Sequence, residues 1–255
     1  MRIVLIAALL PCVVVGYYIF KKDSVESEPS GLLLKLFFLG CLSTIPAIAL
    51  ESVGMRILAG TGLTGTALIL AENFLVVGLA EELCKRFMLH LGSWKDPAFN
   101  YLFDGVVYGV FVALGFAGLE NIGYIMGFGL EVAPIRGLAA IPLHAICGMF
   151  MGHFYGLEKA YTRYGYPSKA RSSAFMSLLI PVLIHGFYDF AASMEEDVYF
   201  YVWIGFVIVM DIIAVTMVKK IRTERSGAVR PAGPYGADPS AYEWVSVPKI
   251  AAFKI

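Results

Sequence analysis

Leu79-Ala-Glu-Glu-Leu-Cys-Lys-Arg86 sets two carboxylates and two cations in the middle of apolar sequence. Read as a helix end in water, it closes a soluble helix. Read as part of a membrane span, it makes the whole chain a bundle in lipid. Arg86-Phe-Met-Leu-His-Leu91 carries the helical pattern past the charges, so the second reading holds. Ionisable side chains cost about 2.5–3.5 kcal/mol each at the centre of a spanning helix on insertion scales, so they need a partner, a wet cavity or a reaction.

The rest of the chain agrees. Of its 255 residues 58% are apolar and only 16% charged, against about a quarter charged in soluble domains. Seven stretches approach or exceed the length that crosses about 30 Å of hydrocarbon. They lie near 2–20, 31–53, 63–90, 101–127, 133–157, 174–193 and 197–218. The expected fold is therefore all-α, a polytopic membrane bundle of about seven transmembrane helices in the cell membrane. The stretch Arg2 to Phe20 lacks a small-x-small cleavage site before Lys21 and reads as an uncleaved first span.

Loop charges orient the bundle. Lys21, Lys22 and Lys35 flank the first loop, Lys95 with nearby Arg86 the third, and Lys159, Arg163, Lys169 and Arg171 the fifth. The alternate loops hold Arg56, then Glu131 and Arg136, then Glu195, Glu196 and Asp197. Seven spans with the N-terminus outside put each basic loop in the cytoplasm, as the positive-inside rule requires. Residues 1–220 then form the membrane domain. Residues 221–255, with a Gly/Pro-rich run from Gly227 to Ser240, read as a flexible cytoplasmic tail.

With a net charge of zero, nothing in the composition points to a nucleic acid. Cys12, Cys41, Cys84 and Cys147 form no CxxC pair and suggest neither disulfide nor thiolate zinc site. Gly105 and Gly109, continued by Ala113 and Ala117, form a row of small residues, and Gly148, Gly152 and Gly156 form another. Such rows bring helix backbones together, so spans four and five are expected to pack tightly.

Four polar elements lie inside the spans. Glu81, adjacent Glu82 and Lys85 form the first; spacing puts Glu81 and Lys85 on one face and turns Glu82 about 100° away. Phe116-Ala-Gly-Leu-Glu-Asn121 is the second, with Glu120 and Asn121 as its polar groups. His144, on the face of Gly148, is the third; His153 turns to the opposite face. In the fourth, His185 and Asp189 are four apart, so the carboxylate can orient the ring. Such groups on four helices argue for one shared cavity at membrane depth.

The order Glu-Glu-x-x-Lys, Phe-x-x-x-Glu-Asn, His, His-x-x-x-Asp resembles the PrsW family of intramembrane proteases, distantly similar to CAAX prenyl endopeptidases and bacteriocin-processing proteases. The match runs from Ala80 to Phe190. It implies a site of Glu81, Glu82, Glu120, His144, His185 and Asp189, supported by Lys85 and Asn121. It also implies a membrane-embedded substrate of the anti-sigma-factor class, cut at site 1 in a stress response. In the CAAX relatives the second motif ends in histidine; here it ends in Glu120, which argues against a CAAX substrate and direct transfer of their mechanism.

Two chemistries fit these residues. Glu81, or Glu82, can activate water, with His185 and Asp189 or Asn121 stabilising the oxyanion and His144 holding water or delivering a proton. Alternatively His144, His185 and Glu81 can hold zinc with one position open. Outside proteolysis, a proton-coupled carrier uses the same Glu, His and Asp, although no inverted repeat is present; a non-catalytic scaffold is the remaining reading.

Overall fold

The structure is a computed structural model that describes residues 2–22, 28–100 and 102–223, with side chains to residue 217. Helices dominate and no strand occurs among these residues. Hydrocarbon cannot hydrogen-bond a free N–H or C=O, so each span satisfies its own backbone as helix. Most of the expected tail lies outside the described residues.

Seven rods follow the expected order. Helix α1 is Arg2–Lys22 and α2 is Ser30–Ala59. Rod α3 joins Gly65–Ala71, a π-helical stretch Glu72–Gly78, and Leu79–Ser93. Helix α4 is Leu102–Phe128 and α5 is Leu130–Arg163, whose start carries a second π-helical stretch at Arg136–Ala140. Helices α6, Pro167–Ser193, and α7, Asp197–Thr223, complete the bundle. Among the described residues six rods are long and apolar enough to cross a membrane. The remaining one, α3, carries Glu72, Glu81, Glu82, Lys85 and Arg86 among its apolar residues.

The sixth rod starts seven residues before its expected beginning, because Pro167 falls in its first turn, where a missing N–H costs nothing. Gly129 at φ 94° and Gly165 at φ 74° separate α4 from α5 and α5 from α6; both backbones are left-handed, which glycine adopts without strain.

Helix α4 is the axis. Its most apolar window is 78% buried, against 6% for α7, so the others pack round it. The glycine rows make the closest approach. A Cβ added at Gly109 would lie 2.2 Å from the Gly148 carbonyl oxygen, and one at Gly105 2.5 Å from that of Gly152. The expected tight packing of spans four and five is therefore a backbone-to-backbone contact. Leu36, Leu89, Val106, Val110, Leu114, Met151 and Tyr155 fill the core around it. Leu75, Phe87, Leu138 and Phe175 point outward, as suits a lipid-facing surface.

Two lysines show which rod ends lie together. Lys35, near the start of α2, donates to the Gly92 carbonyl at 2.7 Å, and Lys159, near the end of α5, to that of Trp94 at 2.6 Å. Both satisfy carbonyls at the C-terminal end of α3, where cations are favoured. The first, third and fifth loops thus share one side, as an up-and-down path demands. They are the basic loops, which the positive-inside rule assigns to the cytoplasm.

Candidate active site

The π-helical stretch sets up the site. It presses α3 against α6, where Gly78 and Gly186 remove the side chains that would hold the rods apart. A Cβ at Gly78 would lie 3.3 Å from the Gly186 nitrogen, and one at Gly186 2.7 Å from the Phe74 ring. One residue from Gly186 is His185, and three beyond Gly78 is Glu81. Such π segments inside α-helices frequently mark functional sites.

At this crossing His185 Nδ1 lies 2.8 Å from Glu82 Oε1. Its Nε2 lies 3.2 Å from Asp189 Oδ2 and 3.8 Å from Glu81 Oε2. The His185–Asp189 pairing expected from spacing is present. Lys85 donates to Glu81 Oε2 at 3.0 Å and to Glu82 Oε1 at 2.8 Å, and its third contact is His144 Nδ1 at 3.0 Å. The Phe116 ring sits 4.0 Å from the same ammonium. Glu82, which spacing turns away from the face of Glu81 and Lys85, also reaches Lys85, because residues three apart are helix neighbours as well.

His144 links this group to the next. Its Nε2 is 3.0 Å from Glu120 Oε2, and the Arg136 guanidinium reaches the same oxygen at 2.7 Å. Arg136 Nε also donates to Asn121 Oδ1 at 2.5 Å, and the guanidinium lies over the Tyr124 ring at 3.7 Å. The eight residues named from sequence thus join one connected network. Glu81, Glu82, Lys85, Asn121, His144 and His185 are buried; Glu120 and Asp189 are partly open at its rim.

Arg136 was expected in an outer loop. It lies instead beside the site: it stands in the π-helical stretch that opens α5, and its side chain reaches across to Glu120 on α4. Arg86, expected with a cytoplasmic loop, is likewise within the bundle. It donates to Ser177 at 2.8 Å, pairs with Glu158 and lies 4.4 Å from the Tyr155 ring centre. Neither position was legible from spacing, because each partner is on another helix. Glu51 is a further acidic neighbour: one turn from Ala47, which packs on Cys84 and Phe116, it is within electrostatic range of Glu120, His185 and Lys85. His153 takes no part and packs edge-on against Phe154. All four cysteines are free.

Along α4 and α6, Glu120 and His185 lie eight residues, about 12 Å of helix rise, from Phe128 and Ser193. Those are the ends away from the basic loops. The network therefore sits in the outer half of these two rods.

The sequence profile of PrsW family intramembrane metalloproteases matches residues 28–216, which include the whole network. The chain belongs to the PrsW family. It is 33% identical to Protease PrsW of Bacillus subtilis (strain 168) over 196 residues, 76% of this chain and 85% of that one. Protease PrsW of Clostridioides difficile (strain 630) is 33% identical over 192 residues, 74% and 78% of the two chains. That of Halalkalibacterium halodurans is 30% identical over 215 residues, 84% and 95%. No solved structure matches. This PrsW-family chain is a multi-pass membrane protease, and its substrate is a membrane protein.

The family description names a metal. Glu81, Glu82, His144 and His185 each offer a ligand atom, and these atoms lie within 4.8 Å of one another. Imidazole and carboxylate are the donors of catalytic zinc sites, so the residues fit in kind and in convergence. Glu82 Oε2 is buried and has no hydrogen-bond partner among the described residues. What stands among the ligand atoms is the Lys85 ammonium.

Proposed function

We propose that the chain hydrolyses a peptide bond of a single-span membrane protein at Glu81, making the first cut in a membrane-bound anti-sigma factor. The observation behind this reading is the convergence of Glu81, Glu82, His144 and His185, from three helices, into one buried group. A water-activating carboxylate, an oxyanion donor and a proton source are what peptide hydrolysis needs.

Glu82 is tied down on both sides, by Lys85 and by His185, each at 2.8 Å. Glu81 bonds Lys85 alone at 3.0 Å and is the better placed to take a proton from water. Glu82 holds His185 Nδ1, so the N–H on Nε2, shared at 3.2 Å with Asp189 at the rim, is the one that can turn to the developing oxyanion. The proton Glu81 takes from water then passes to the leaving amine, beside His144, which Glu120 holds in place. A divalent ion held by His144, Glu81 and a further residue of the set would supply Lewis-acid activation of the water and the carbonyl. The anti-sigma-factor class rests on the family resemblance and on the outward position of the site.

The test uses purified chain in liposomes with a tagged single-span anti-sigma factor. Wild type yields one cut on the outer side, and Glu81→Gln or His185→Ala abolishes it. If both variants leave cleavage intact, the site assignment is wrong. If wild type instead carries protons in a pH-driven flux that both variants remove, the carrier reading replaces it.

A further inference from the structure

We propose that Lys85 is a tethered cation standing where a divalent metal ion would bind, so that ammonium and metal are mutually exclusive occupants of one site. The inference rests on the site reading above, but it concerns binding and is tested without proteolysis.

An ammonium has three N–H donors. Lys85, 1% exposed, has three acceptors at 3.0, 2.8 and 3.0 Å, in Glu81, Glu82 and His144, and the Phe116 ring at 4.0 Å. Each N–H is used, and the charge is balanced by carboxylates, as a buried cation requires.

His144 makes the two occupants exclusive. Neutral imidazole has a single lone pair, on one nitrogen. Glu120 only accepts, so the proton facing it sits on Nε2, and the lone pair is on Nδ1. That lone pair points at Lys85 Nζ, 3.0 Å away. A zinc ion needs the same lone pair at about 2.0–2.1 Å. His144 therefore ligates only after Lys85 swings out. His185 offers no substitute, because both its nitrogens face carboxylate oxygens, Glu82 at 2.8 Å and Asp189 at 3.2 Å. With Lys85 seated, the pocket holds a cation without metal.

Metal affinity of the full-length chain in detergent checks this, read by Co²⁺ absorption and by bound Zn²⁺ per chain. Lys85→Met is expected to bind one ion at least tenfold more tightly than wild type. The gain should vanish in Lys85→Met/His144→Ala. Zn²⁺ should also raise the melting temperature of Lys85→Met and leave that of wild type unchanged. If Lys85→Met does not fold even with Zn²⁺, Lys85→Gln carries the same expectation. Equal affinity in wild type and variant overturns the proposal, as does a gain that survives loss of His144. Either result leaves cleavage at Glu81 to be judged by the liposome assay.

Discussion

His144 Nε2 lies 3.0 Å from Glu120 Oε2, and this contact fixes how the whole network is wired. A carboxylate only accepts and an ammonium only donates. Between the two, His144 has one orientation of donor and lone pair that satisfies both. Glu120 thereby governs the proton on a ring it reaches from another helix.

Glu120→Ala should lower cleavage of a single-span reporter by about 10²–10⁴, the range of a lost acid–base contribution. Glu120→Gln should lose less than about tenfold, because its amide oxygen still accepts from Nε2. The ratio of the two rates in liposomes is the measurement.

The two opening glutamates should separate by stability. Glu81→Gln is expected to cut turnover by about 10²–10⁴ with little change in melting temperature. Glu82→Ala leaves Lys85 and His185 without their shared oxygen. Breaking a buried charge pair costs about 3–5 kcal/mol, so this variant should melt well below wild type. Thermal unfolding in detergent, run beside the activity assay, distinguishes them.

Arg136 acts through Glu120 and Asn121, and nothing in the network places it against a reacting atom. Removing such a supporting partner typically costs about 10–100-fold. Arg136→Ala should therefore lower kcat in that range with KM nearly unchanged, and Arg136→Lys should recover part of it.

The glycine crossing predicts a contrast along a single helix. Gly109→Ala drives a methyl into the Gly148 carbonyl, 2.2 Å away, and should destabilise by about 1–3 kcal/mol through overpacking. Gly123→Ala meets nothing within 4 Å and should stay within about 0.5 kcal/mol of wild type. Equal melting temperatures for the two variants would refute the backbone contact.

The sequence by itself determined the helical rods, six of them by apolar length and α3 by the alternation of basic loops, which needs one more crossing. It also determined the His185–Asp189 pair and the Glu81–Lys85 contact, since both lie within one helical turn, where spacing is geometry. Only the tertiary structure decided what crosses between helices. Glu82 became the tied carboxylate because Gly78 and Gly186 let α3 and α6 touch. Arg136 left its expected loop because α5 is already helical there and its side chain finds Glu120 and Asn121 on α4. Leu79-Ala-Glu-Glu-Leu-Cys-Lys-Arg86 announced charges that needed partners. Most of those partners, His144, His185, Glu158 and Ser177, lie 59 to 103 residues away, a separation that no helical period encodes.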